Sequence, residues 1–103
     1  AGVEHLCPMD WVPDNVSVVN NRGVHSAKAG EFGLMSVLML HTHIPEIVGN
    51  QKNKYWESLY SSPIMGKTLL VIGVGNIGYA VAQKCKLLWY ERYRCESTRK
   101  KPR

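Results

Sequence analysis

The sequence of 103 residues lacks any apolar run near the roughly 18 residues that a membrane span requires, and its N-terminus lacks a basic stretch followed by an apolar one. These absences lead us to expect a soluble, cytoplasmic protein with no membrane partner. Cysteine is sparse. Cys7, Cys85 and Cys95 are odd in number and show no CxxC spacing, so neither a disulfide framework nor a zinc site is indicated and the thiols are expected to be reduced. There is no internal repeat and no basic stripe interleaved with aromatics. The formal charge of +5 is concentrated at one end: residues 90 to 103 carry six basic side chains against two acids, whereas residues 1 to 89 carry seven against six. A nucleic-acid reading would therefore rest on that tail alone, and no nucleic-acid partner is expected.

What is present is ordinary globular material, with 45% apolar residues. Val16-Ser17-Val18-Val19 is a short β-branched run between turn residues and reads as a buried strand. Asn15-Val16-Ser17 matches a glycosylation sequon, but in an intracellular setting it is a plain polar segment. From about Ala27 to Thr42 the pattern is that of a helix apolar on nearly all sides, stopping before Pro45 and needing cover from a neighbouring domain, a second subunit, or both. Residues 45 to 65 read as a connecting segment with a short helix at most.

The chemistry lies further along the chain. Thr68 to Ile72 is apolar on both pleat faces, as in a central parallel strand with helices on each side. It runs without a gap into Gly73-Val74-Gly75-Asn76-Ile77-Gly78 and then a helix through Leu88. In this GxGxxG pattern Gly73 permits the tight turn, Gly75 leaves room for a pyrophosphate, and Gly78 lets the helix pack on the strand. Amides at Asn76 and Ile77 would face the phosphates at the positive end of the helix dipole. The cofactor-binding residues are thus Gly73, Gly75, Asn76, Ile77 and Gly78, the cofactor is NAD or NADP, and no metal site is expected.

An ordered series of residues adds to this reading. It comprises Ala1-Gly2-Val3-Glu4, Val18-Val19-Asn20, Arg22-Gly23-Val24-His25, Gly30-Glu31, Trp56 and Gly66-Lys67-Thr68 before the glycine turn. With that series the chain resembles the D-isomer-specific 2-hydroxyacid dehydrogenases, the group of phosphoglycerate, glyoxylate and hydroxypyruvate enzymes. The resemblance implies an α/β fold: a partial doubly wound (Rossmann) NAD(P)-binding domain with the end of a flavodoxin-like substrate domain. Residues 1–21 would close the substrate domain, 22–65 form the interdomain helix and spacer, 66–88 open the cofactor domain, and 89–103 form an aberrant basic tail.

The resemblance further implies hydride transfer between NAD(P) and a small 2-hydroxy or 2-keto acid in a homodimeric parent. The family's catalytic arginine, glutamate and histidine lie beyond the phosphate turn, so no catalytic residue is assigned here and the chain alone is expected to be inactive. His5, His25, His41 and His43 read as surface or helix-end residues, with His43 standing where the family tends to carry an arginine. Glu31 reads as a helix-capping acid, and Trp56 as a packing residue. A non-catalytic NAD(P)-sensing or protein-interaction module is the alternative function.

The tail breaks the pattern. After Leu88 the family expects another buried strand, whereas residues 89 to 95 show no strand pattern, and Glu96, near the spacing of the ribose-binding acid, is left unassigned for that reason. Tryptophan's single codon offers an account: if the first T of the Trp89 codon is an inserted base, the shifted frame begins with glycine. The codons that come after it then permit the family's Met, Val, Ile, Gly and Val, so residues 89 to 103 are expected to be a translated frameshift.

Overall fold

A computed structural model describes residues 4–88 and 93–96. After a short 3-10 turn at Glu4–Leu6, the elements in chain order are α1 (Ser26–His41), α2 (Ile44–Lys52), β1 (Leu69–Ile72), α3 (Asn76–Lys86) and β2 (Tyr93–Glu96). Helix α1 follows a turn in which the Ser26 amide donates to the Gly23 carbonyl at 3.0 Å. Gly23 sits there at φ +86°, a left-handed conformation that a side chain would strain. The helix closes at Thr42, whose hydroxyl donates to the Leu38 carbonyl at 2.7 Å, and His43 at φ 59° turns the chain into α2. Pro45 lies in the first turn of α2, where its missing amide costs no helical bond. The axes of the two helices are bent by 66°. Among the described residues no single helix is long and apolar enough to cross a membrane.

Helix α1 packs against α3 through its glycines. A Cβ on Gly33 would lie 2.5 Å from Val81 Cγ2, and one on Gly30 would lie 3.1 Å from the Ala80 carbonyl oxygen, so the helices approach as closely as backbone allows. Lys84 Nζ on α3 and Glu31 Oε1 on α1 stand 3.7 Å apart across this seam. Both side chains are largely exposed, so the pair contributes less than about 1 kcal/mol. Glu31 lies in the second turn of α1, and the first turn holds no acidic residue. Its role is thus to tie α1 to α3 instead of capping the helix.

Strands β1 and β2 pair in parallel, Leu69 opposite Tyr93 and Ile72 opposite Glu96, with α3 as the crossover. This is the βαβ unit that the glycine pattern requires. It also corrects the reading of residues 89 to 95 as lacking a strand. Tyr-Arg-Cys-Glu is polar at alternate positions, so its periodicity is hidden, and its pairing with β1 supplies the hydrogen bonds that a run of apolar residues would otherwise have announced. Residues 89–92 and 97–103, the rest of the expected tail, lie outside the described residues.

Three further expectations are overturned. Val16–Val19 is irregular and open, Val19 being 87% exposed, because among the described residues it has no strand to pair with. Strand β1 is half-covered on the face bearing Leu69 and Val71, whereas Leu70 and Ile72 on the other face are exposed, so helices cover one side only. Trp56 is 87% exposed in the irregular chain after α2 and packs on nothing that would bury it. The remaining elements stand close to their expected places, α1 within a residue at either end. Its apolar character on all sides also shows, since Phe32, Met35 and Leu40 are exposed while only Gly30 is fully buried. The apolar core is correspondingly small: among the described residues it consists of Ala82 and Cys85, both on α3.

Candidate functional site

The strand-to-helix turn is shaped by its glycines. Gly73 adopts φ +86°, which turns the chain sharply as it leaves β1. A Cβ on Gly78 would overlap the carbonyl oxygen of Gly73 and stand 3.4 Å from Val71 Cγ1, so the first turn of α3 rests directly on the end of the strand. At Gly75 the opposite holds: nothing lies within 4 Å of the position a Cβ would take. The backbone there faces open space, as an approaching phosphate group needs.

Gly75 is the N-cap of α3, with extended backbone and no side-chain cap. The first helical bond runs from the Tyr79 amide to the Gly75 carbonyl at 2.9 Å. The amides of Asn76, Ile77 and Gly78 precede it and have no acceptor within the helix, which leaves three donors at the positive end of the helix dipole. Such an end favours an anion.

All five sequence-assigned residues line one cleft of about 430 Å³. Its other wall is the turn before α1, which contributes Asn21, Arg22, Gly23, His25 and Ser26. That wall is ordered. The Arg22 amide donates to Asn20 Oδ1 at 3.0 Å, the Val24 amide donates to the Asn21 carbonyl at 3.1 Å, and Gly23 lies against the Asn76 side-chain amide. In the sequence, Arg22 to His25 read only as the start of the interdomain helix and spacer. Their spacing carries no binding signal, and only the packing of α1 on α3 brings them to the glycine turn.

The histidines divide by position. His25 is exposed at the head of α1 and lines the cleft. His41 Nε2 donates to the Ser62 carbonyl at 2.7 Å, and His43 Nδ1 lies 3.8 Å from Glu46 Oε2, both near the far end of α1. Cys85 is fully buried under α3, and burial pushes its thiol pKa up. Neither it nor the exposed Cys7 forms a disulfide. No group of three or more metal-ligating side chains occurs among the described residues.

A family model described as the NAD binding domain of D-isomer specific 2-hydroxyacid dehydrogenases matches residues 34–103. The chain belongs to the D-isomer specific 2-hydroxyacid dehydrogenases. This 2-hydroxyacid dehydrogenase chain is 32% identical over 89 residues to a D-3-phosphoglycerate dehydrogenase of Archaeoglobus fulgidus, covering 84% of this chain and 17% of that protein. It is 32% identical over 85 residues to a hydroxypyruvate reductase of Thermotoga maritima, covering 81% of this chain and 28% of the relative. It therefore spans well under a third of the length of either. The fold matches a D-isomer specific 2-hydroxyacid dehydrogenase of Xanthobacter autotrophicus solved with NADPH and MES, at a TM-score of 0.70 and 23% identity, over 94% of this chain and 45% of that one. The partial Rossmann fold expected from the glycine pattern is thus shown.

Proposed function

We propose that this chain is the cofactor-cradling part of an NAD(P)-dependent 2-hydroxyacid dehydrogenase, with Gly73 to Gly78 holding the dinucleotide's pyrophosphate. The observation that carries the proposal is the pairing of a filled and an open glycine: Gly78 has no room for a side chain, while Gly75 has room that none of the described residues uses. The unpartnered amides of Asn76, Ile77 and Gly78 would donate to the phosphate oxygens. When bound, the nicotinamide exchanges hydride with the 2-hydroxy or 2-keto acid. This chain's own residues bind and orient the cofactor; the acid and base are proposed to come from elsewhere in the parent protein. In support, the His–carboxylate pair among the described residues, His43 with Glu46, lies at the α1–α2 junction, whereas the titratable residues of the cleft, Arg22 and His25, have no acid beside them. The chain alone is accordingly inactive.

The exposed Phe32, Met35 and Leu40 on α1 support cover by another domain or a second copy in the parent. The test is an NMR titration of the isotope-labelled chain with NADH and NADPH. Shifts of the Gly75, Asn76, Ile77 and Gly78 amides at lower concentration than those of α2 are expected. No change at these four amides with the α1–α3 packing intact would overturn the proposal.

A further inference from the structure

The wall facing the glycine turn holds a charge that no ion pair among the described residues neutralises. Arg22 is exposed, and among the described residues the two ion pairs are Lys84 with Glu31 and His43 with Glu46. No residue lining the cleft is acidic. Arg22 also lines a second groove with Asn76, Tyr79 and Lys84, so it borders the first turn of α3 in both. Its backbone is not loose: the Asn20 side chain holds its amide, and Gly23 rests on Asn76. An arginine on an ordered backbone, lining the same cleft as three free amides at the positive end of a helix dipole, makes a site whose charge matches a doubly anionic group.

We infer that Arg22 is a second anchor for the cofactor's pyrophosphate, reaching it from the turn that precedes α1. The inference rests on the reading of the glycine turn as a dinucleotide site and goes beyond it, because Arg22 lies outside the glycine motif and outside the βαβ unit. The pyrophosphate would then be held between two segments some 50 residues apart in sequence, and its binding would draw the turn at 21–25 and the glycine turn together.

The experiment compares the full chain with Arg22→Gln and Arg22→Lys, using NADH, ADP-ribose, adenosine and a 2-hydroxy acid, D-lactate, as probes and titrating at two salt concentrations. For Arg22→Gln, affinity for NADH and ADP-ribose is expected to fall by about tenfold, as for loss of one charge-assisted hydrogen bond. Its salt dependence should also become shallower, while adenosine, which has no phosphate, binds as before. Arg22→Lys should recover part of the loss, since it keeps the charge without the planar fork. Equal affinity of Arg22→Gln and the unaltered chain for ADP-ribose overturns the role of Arg22 and leaves the dinucleotide reading standing. A loss confined to binding of a 2-hydroxy acid also overturns it, by moving the guanidinium's partner from phosphate to carboxylate. If the unaltered chain binds neither NADH nor ADP-ribose, the dinucleotide reading itself falls and this inference falls with it.

Discussion

The carbonyl oxygen of Gly73 occupies the place where a β-carbon on Gly78 would have to be. This one contact sets how far the first turn of α3 can move from the end of β1, and so where the helix amides point. Gly78→Ala should cost about 1–3 kcal/mol, as overpacking a tight contact does, and should weaken dinucleotide binding by displacing the helix. The check is the thermal midpoint of the NADH-saturated chain together with its NADH affinity. An unchanged midpoint and unchanged affinity would show that the contact is slack.

The seam between α1 and α3 has its own test. Gly33→Ala gains about 1 kcal/mol of helix propensity but sets a methyl 2.5 Å from Val81 Cγ2. The clash should win, because both helix backbones would have to part. Combining it with Val81→Ala should recover stability relative to Gly33→Ala alone, a coupling of about 0.5–3 kcal/mol in a double-mutant cycle measured on the NADH-saturated chain. Additive single effects would place the Gly33 side of α1 away from Val81.

The small core makes folding of the chain alone marginal. A compact domain of this length has a radius of gyration of about 13 Å. The observed value is 19.5 Å, and among the described residues the fully buried apolar side chains are those of Ala82 and Cys85. A ligand-free monomeric sample should therefore show no cooperative thermal transition. Cys85 reports on this directly. In the ligand-free chain a thiol reagent should label Cys85 nearly as fast as exposed Cys7, by peptide mapping, and saturating NADH should slow Cys85 selectively as binding favours the folded form. A sharp transition, or strong protection of Cys85 without ligand, would contradict this.

The basic tail is a matter for the nucleic acid. Strand β2 removes the missing-strand argument for a shifted frame, so that proposal now rests on the codon relation at Trp89. Resequencing through and beyond codon 88 checks it. A shifted frame that encodes the dehydrogenase continuation supports the shift, and reads that confirm the present frame with no such continuation in the shifted one exclude it.

How much of the fold and site is legible in the sequence depends on where the forces act. The glycine turn, β1, α1 and α3 can be read because their constraints are local: Gly73 needs a left-handed backbone, and each apolar run is bounded in the sequence by its own turn residues or proline. Glu31 cannot be placed, since its partner Lys84 is 53 residues away and nothing in a single sequence pairs them. Val16–Val19 has the composition of a strand, yet a strand needs a neighbour to supply hydrogen bonds, and β propensity says nothing about whether one is present. Arg22 lies in plain view beside Gly23, but only the crossing of α1 on α3 at Gly30 and Gly33 carries it to the phosphate turn. For β2 the difference runs the other way: a polar, alternating segment joins the sheet because β1 offers it an edge.

If the open space at Gly75 is kept for a dinucleotide's pyrophosphate, a side chain placed there must block binding, and Gly75→Val does so. The backbone there, at φ −79°, accepts a side chain, and no protein atom lies within 4 Å of its β-carbon, so valine fills the cleft without disturbing α3. NADH affinity of the unaltered chain and of Gly75→Val should be measured side by side by calorimetry, with far-ultraviolet circular dichroism as the control for helix content. The account predicts measurable binding by the unaltered chain and a loss of at least about tenfold in Gly75→Val at unchanged helicity. Equal affinity in the two proteins, or no binding of NADH or NADPH by the unaltered chain, would contradict it.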